Sequence, residues 1–124
     1  MERILFLMAE KNASDVYLSA HAPATIRING QCFPVNTTPL TAEAPLRLLE
    51  QIVPEERIAE LESTNELNMA LPLPQLGNFR ISAMRQRGTY AVVIRFISKN
   101  IPKLDSLHLP QVLERLVMEK RGLI

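Results

Sequence analysis

The chain has 124 residues, fourteen Lys+Arg against thirteen Asp+Glu, a formal net charge of +1 and 47% hydrophobic residues. Such a composition excludes a disordered chain, and the length suits one compact domain, or one domain plus a fragment of a second. Cys32 is the single cysteine, so no internal disulfide can form, and with His21 and His108 isolated in loop or linker no zinc cluster is expected. The opening Met-Glu-Arg-Ile-Leu-Phe-Leu-Met has too short an apolar run for a signal peptide or a membrane span, which implies a soluble cytoplasmic protein without membrane insertion.

Residues 2–11 read as an amphipathic helix with Ile4, Leu5, Leu7 and Met8 on one side. Val16–Ala20 and Ala24–Asn29 read as strands, and Asn29-Gly30 is a hairpin signal that sends Gln31–Val35 back antiparallel. Asp15, next to Ser14, is expected to satisfy local backbone donors. Thr41 is the expected N-cap of a helix over 42–53, and Pro54 opens a second helix carrying Glu55 and Glu56 in its first turn, where the helix dipole favours acids. Asn65–Leu71 reads as a strand ended by Pro72 and Pro74. Residues 78–86 and 89–97 are the clearest strands, joined through Arg87-Gly88. An extended linker follows to Leu109, then a helix from Pro110 to about Lys120, with Gly122 ending it and Leu123-Ile124 starting a further strand. Strands and helices mix without strict βαβ alternation, so the expected class is α+β with a mostly antiparallel sheet and flanking helices.

The near-zero net charge hides a partition. Glu43–Glu66 holds seven acids and two bases, whereas Leu67–Leu104 holds no acid and six bases: Arg80, Arg85, Arg87, Arg95, Lys99 and Lys103. A base-only stretch suits either an anionic partner or a solvated face balanced by the acidic segment. With Arg87-Gly88 as a two-residue loop, Phe79 faces Phe96, Ile81 faces Ile94, Ala83 faces Val92 and Arg85 faces Tyr90 on one side, which should pack on the helices. Arg80 faces Arg95 on the other. Like charges directly opposite are destabilising, and two planar forks so placed invite a carboxylate or phosphate between them. A carboxylate from Glu62 or Glu66 of the same chain is the competing partner. The hairpin's aromatics fall on the core side, so base stacking and hence nucleic-acid binding are not expected.

The segments Ser14-Asp15-Val16-Tyr17-Leu18-Ser19-Ala20, Arg27-Ile28-Asn29-Gly30, Gly77-Asn78-Phe79-Arg80-Ile81-Ser82-Ala83, Gln86-Arg87, Ile101-Pro102-Lys103-Leu104 and Lys120-Arg121-Gly122-Leu123 together resemble the type IV pilus retraction ATPases, the PilT/PilU family. Pro34 to Thr41 looks more like the PilU branch. The resemblance implies a PAS-like N-terminal domain over residues 1–99, and over 100–124 a linker with the first helix of a RecA-like ATPase domain. It implies a hexamer acting on the pilus machinery at the inner membrane, driven by ATP and Mg in the full-length protein. It also implies that Arg80, Arg87 and Arg95 touch nucleotide phosphates. Arg85 falls on the packed side and is left out. The 124 residues contain no Gly-x-x-x-x-Gly-Lys-Ser/Thr loop, so they read as a fragment without ATPase activity of its own. Related type II secretion or pilus-assembly ATPases share the architecture, and a free-standing PAS-like sensor is the alternative from another class.

Overall fold

The computed structural model describes residues 1–122; the strand start expected at Leu123-Ile124 lies outside the described residues. In chain order the elements are α1 (Glu2–Glu10), β1 (Asp15–Ser19), β2 (Pro23–Ile28), β3 (Gln31–Pro39), α2 (Ala44–Glu50), α3 (Glu55–Thr64), β4 (Glu66–Leu73), β5 (Gly77–Gln86) and β6 (Thr89–Ile97). A single 3₁₀ turn (Leu104–Leu107) and a short α4 (Val112–Leu116) follow. The six strands form one sheet in the order β3-β2-β1-β6-β5-β4, and every pairing is antiparallel. The fold is therefore α+β with flanking helices, as the mixed element pattern implied.

Strand alternation sorts the sheet into a packed face and an open one. Val16 and Leu18, Ile26, Leu67, Phe79 and Ile81, and Val92 and Ile94 point to the packed face and are buried. Leu5 and Met8 of α1, Leu49 of α2, and Ile58 and Leu61 of α3 close over them. Asn65 ends α3 in the left-handed conformation, with its N–H on the Leu61 carbonyl, and turns the chain directly into β4.

Four local expectations are corrected. Thr41 does not cap α2; Glu43 precedes its first turn and no side chain caps it. β4 runs through Pro72 to Leu73, because β4 is an edge strand and its outward backbone positions need no partner. β3 likewise extends to Pro39 at the other edge, beyond the expected end at Val35. The helix expected over 110–120 is helical only over Val112–Leu116 and has no buried residue; Leu113 and Leu116 are half-buried.

Candidate functional site

The β5–β6 register is the one derived from the turn: Phe79 pairs with Phe96, Ile81 with Ile94, Arg85 with Tyr90, and Arg80 with Arg95. Arg87 and Gly88 have φ of 49° and 81°, positive at both central positions as a two-residue hairpin with right-handed strand twist requires. That turn locks the register, and the register sets Arg80 beside Arg95 on the uncovered face.

Following the pairings across the sheet gives a continuous row on that face: Ala70, Arg80, Arg95, Asp15, Arg27 and Cys32. The adjacent row on the same face is Asn68, Ser82, Val93, Tyr17, Thr25 and Pro34. Three guanidiniums and one carboxylate thus stand side by side. Arg80, Arg95, Asp15, Ser82 and Val93 line a shallow hollow of about 150 Å³. Arg80 also borders a wider apolar depression with Ala70, Pro72, Asn78 and Ile97.

The carboxylate is the member that sequence reasoning misplaced. Asp15 does not serve local backbone donors; its side chain is only 3% exposed and accepts a 2.9 Å hydrogen bond from Arg95 Nε, 80 residues away in sequence. Ser14 Oγ donates to the other oxygen at 2.8 Å, and Arg27 Nη1 stands 3.9 Å from it. Burial pushes the Asp15 pKa up, but the bonds from Arg95 and Ser14 and the charges of Arg95 and Arg27 outweigh it and hold the group below the usual aspartate value. The competing partners Glu62 and Glu66 do not take the arginines. Glu66 stands opposite Met84, away from the Arg80 row, and Arg95 turns to Asp15 because β1, not β4, is the neighbour of β6.

The candidate arginines therefore differ. Arg95 is anchored yet its side chain remains 62% exposed. Arg80 is exposed, and among the described residues no carboxylate lies within 4 Å of it. Arg87 is not brought to the pair: six strand residues lie between it and Arg80, about 23 Å at strand rise. Arg85 is on the helix side as expected, but it is exposed because the hairpin outruns the helices. Arg27, passed over as an alternating polar residue, joins the charged row, and its guanidinium stacks 5.6 Å from the Tyr17 ring centroid. The sequence signal for Arg27 was its alternation with Ile26 and Ile28 in the expected second strand; Asp15 stood one residue before the expected first strand.

These residues fit an oxyanion. Two adjacent guanidiniums, one fixed and one free, can direct parallel N–H donors at a phosphate or carboxylate. Among the described residues no group of three or more His, Cys, Asp or Glu could hold a metal ion, and no helix is long and apolar enough to cross a membrane.

No family model matches the chain. The Type IV pilus ATPase PilU of Pseudomonas aeruginosa is 37% identical over 123 residues, 99% of this chain and 32% of that protein. The Type IV pilus retractation ATPase PilT of the same organism is 27% identical over 98% of this chain and 35% of its own length. The crystal structure of the pilus retraction motor PilT with bound ADP superposes with a TM-score of 0.75 at 27% identity, covering 97% of this chain and 35% of that one. The chain thus spans about a third of the length of the curated relatives it matches. Resemblance along nearly all its residues and a shared sheet-and-helix architecture agree: in sequence and fold the chain corresponds to the N-terminal domain of the PilT/PilU family.

Proposed function

We propose that the chain serves a hexameric ATPase of pilus retraction and twitching motility, and that its open sheet face supplies arginines to nucleotide phosphates. The observation that carries this reading is the Arg80–Arg95 pair on the uncovered face, bordering a hollow and lacking a carboxylate for Arg80. The relative crystallised with ADP supports nucleotide as the anion. Bound ATP with Mg would bring the transferable phosphoryl group. Arg80 and Arg95 would bind its oxygens and offset the charge that builds on them during transfer. Arg87, on the hairpin tip, belongs to a separate contact with a phosphate or a neighbouring subunit.

Residues 1–99 are the domain proper in this reading, and 100–124 are the linker and first helix of the motor domain. Ile101, Leu104, Leu107, Leu109, Val112, Val117 and Met118 are exposed along that stretch, which suits a segment that packs on further protein. The intact protein would work in the cytoplasm against the pilus machinery at the inner membrane. The test is ATP turnover of the intact protein carrying Arg80→Ala or Arg95→Ala. Both substitutions are expected to lower kcat with the hexamer retained on size-exclusion chromatography. Wild-type turnover in both variants refutes the phosphate role.

A further inference from the structure

We infer that Asp15 is a positioning residue for the anion site: it holds the Arg95 guanidinium in one plane, with its terminal amino groups presented beside Arg80. The inference rests on the phosphate reading above.

Four observations converge on it. First, the bond is made through Nε, at 2.9 Å, so the Nη1–Nη2 edge of Arg95 carries no bond to Asp15 and stays available on the open face. An oxyanion meeting that edge end-on receives two parallel N–H donors. Second, Asp15 is itself over-determined. It is buried, starts the central strand β1 between β2 and β6, and its second oxygen is held by Ser14 Oγ at 2.8 Å. Ser14 is fixed in turn, its N–H donating to the Arg27 carbonyl at 2.8 Å and its own carbonyl accepting from the Phe96 N–H at 2.9 Å. A buried carboxylate with both oxygens engaged is a rigid anchor, whereas Arg95 alone is a long side chain with about 2 kcal/mol of rotamer freedom to lose.

Third, Asp15 separates like charges. Without it Arg27 and Arg95 would flank an uncharged position, and Arg80 would stand beside Arg95, with no anion between any of them. The repulsion would leave the Arg95 head beside the hollow but spread over several orientations. Fourth, the bond to Asp15 is the one side-chain hydrogen bond Arg95 makes among the described residues. Ordering Arg95 before the anion arrives lowers the entropy lost on binding it in the productive geometry.

The test is a double-mutant cycle in the intact ATPase: wild type, Asp15→Ala, Asp15→Asn, Arg95→Ala and Asp15→Ala/Arg95→Ala, with Arg80→Ala as reference. Turnover at saturating ATP, KM for ATP, hexamer assembly and melting temperature are measured for each. Independently of turnover, exchange of the Arg95 Nε–H proton with water is followed by nitrogen-15 NMR in the 124-residue chain. Asp15→Ala is expected to lower kcat about tenfold, the scale on which removal of an orienting partner acts. KM should change less than about twofold, because the two donors remain present. Asp15→Asn keeps an acceptor oxygen for Nε and should fall between wild type and Asp15→Ala. The double variant should be no slower than Arg95→Ala alone, since both lesions remove one unit. The Nε–H proton should exchange faster in Asp15→Ala than in wild type, because the bond that protects it is gone.

The inference is overturned if Asp15→Ala melts lower but turns over as wild type while Arg95→Ala is slow; Asp15 is then only structural and the phosphate reading survives. It is also overturned if Asp15→Asn binds ATP more tightly with kcat unchanged, because the carboxylate then acts only through its charge. Additive effects in the double variant refute the shared unit. Should Asp15→Ala fail to fold, Asp15→Asn decides alone: slowed turnover with faster Nε–H exchange supports positioning, and wild-type values in both refute it. Wild-type turnover in both Arg80→Ala and Arg95→Ala refutes the phosphate reading itself, and positioning falls with it.

Discussion

Gly77 opens β5 at φ +148°, a conformation that side chains rarely adopt, and a Cβ built there lies 2.6 Å from Phe96 Cε2 and 3.2 Å from the Ile97 carbonyl oxygen. Ordinary carbon contacts are about 3.5–4.0 Å, so Gly77→Ala forces the Phe96 ring back by about 1 Å. That ring is tilted against buried Phe79, with centroids 5.1 Å apart, and the Ile97 carbonyl belongs to the strand and cannot swing away. Overpacking of this kind costs about 1–3 kcal/mol. The backbone conformation adds about 1–3 kcal/mol. Because Phe96 is only half-buried and can tilt outward, the clash falls at the low end, for a total of about 2–4 kcal/mol. In a domain of this size that lowers Tm by roughly 10–20 °C. Far-UV circular dichroism melts of the 124-residue chain measure it. A shift below about 4 °C would refute the reasoning, being worth less than about 1 kcal/mol. The mechanism has its own check: in a Phe96→Leu background the smaller side chain leaves room, so Gly77→Ala should cost about 1 kcal/mol less. Additive costs would show that the ring is not the obstacle.

Phe79→Ala removes a 1%-exposed ring from the centre of the packed face and should cost about 3–5 kcal/mol in urea denaturation. Asp15 has a folded-state pKa below its unfolded value, so its contribution to stability is present above about pH 4 and disappears as the pH falls through the folded value. The stability gap between wild type and Asp15→Asn, measured by denaturation at successive pH values, should therefore close on the acid side and stay constant from about pH 5 to 8. Arg87 holds φ 49° at a turn position that favours Asn, so Arg87→Asn should stabilise the chain by about 0.5–1 kcal/mol by thermal melt while removing whatever contact the hairpin tip makes in the intact ATPase.

How much of this was legible depended on whether a residue's role is set by its own strand or by a distant one. The Arg80–Arg95 pairing was readable because one two-residue turn, Arg87-Gly88, dictates the register of both strands and alternation then assigns every side chain to a face. The packed face was readable for the same reason, from the alternating Ile, Val and Phe of the hairpin. Asp15 was not readable, because its partner depends on β1 sitting between β2 and β6, a fact of strand order that no local pattern encodes. Local chemistry offered Asp15 a plausible turn role beside Ser14, and tertiary pairing overrode it. The strand end misjudged at Pro72 has the same origin: a proline forbids a central strand but not an edge, and only the sheet order says which strands are edges.

Strand order also explains why the open face can serve as a site. β1, β6 and β5 are all interior strands, so Asp15, Arg95 and Arg80 project from backbone paired on both sides. The two arginines differ in their side chains: the Arg95 head is tied to Asp15, and the Arg80 head has no carboxylate within 4 Å among the described residues. A phosphate held between them would meet one donor that is already placed and one that can adapt. Such an arrangement lets recognition stay specific while the second arginine follows the anion as its charge and shape change. The acidic residues that balance the chain's net charge are concentrated between Glu43 and Glu66, on α2, α3 and the segments that flank them, while Arg27, Arg80 and Arg95 share the face that the helices leave uncovered. The near-neutral total therefore hides a local imbalance: one row of the open face sets three guanidiniums against the single carboxylate of Asp15, and two of the three line the hollow.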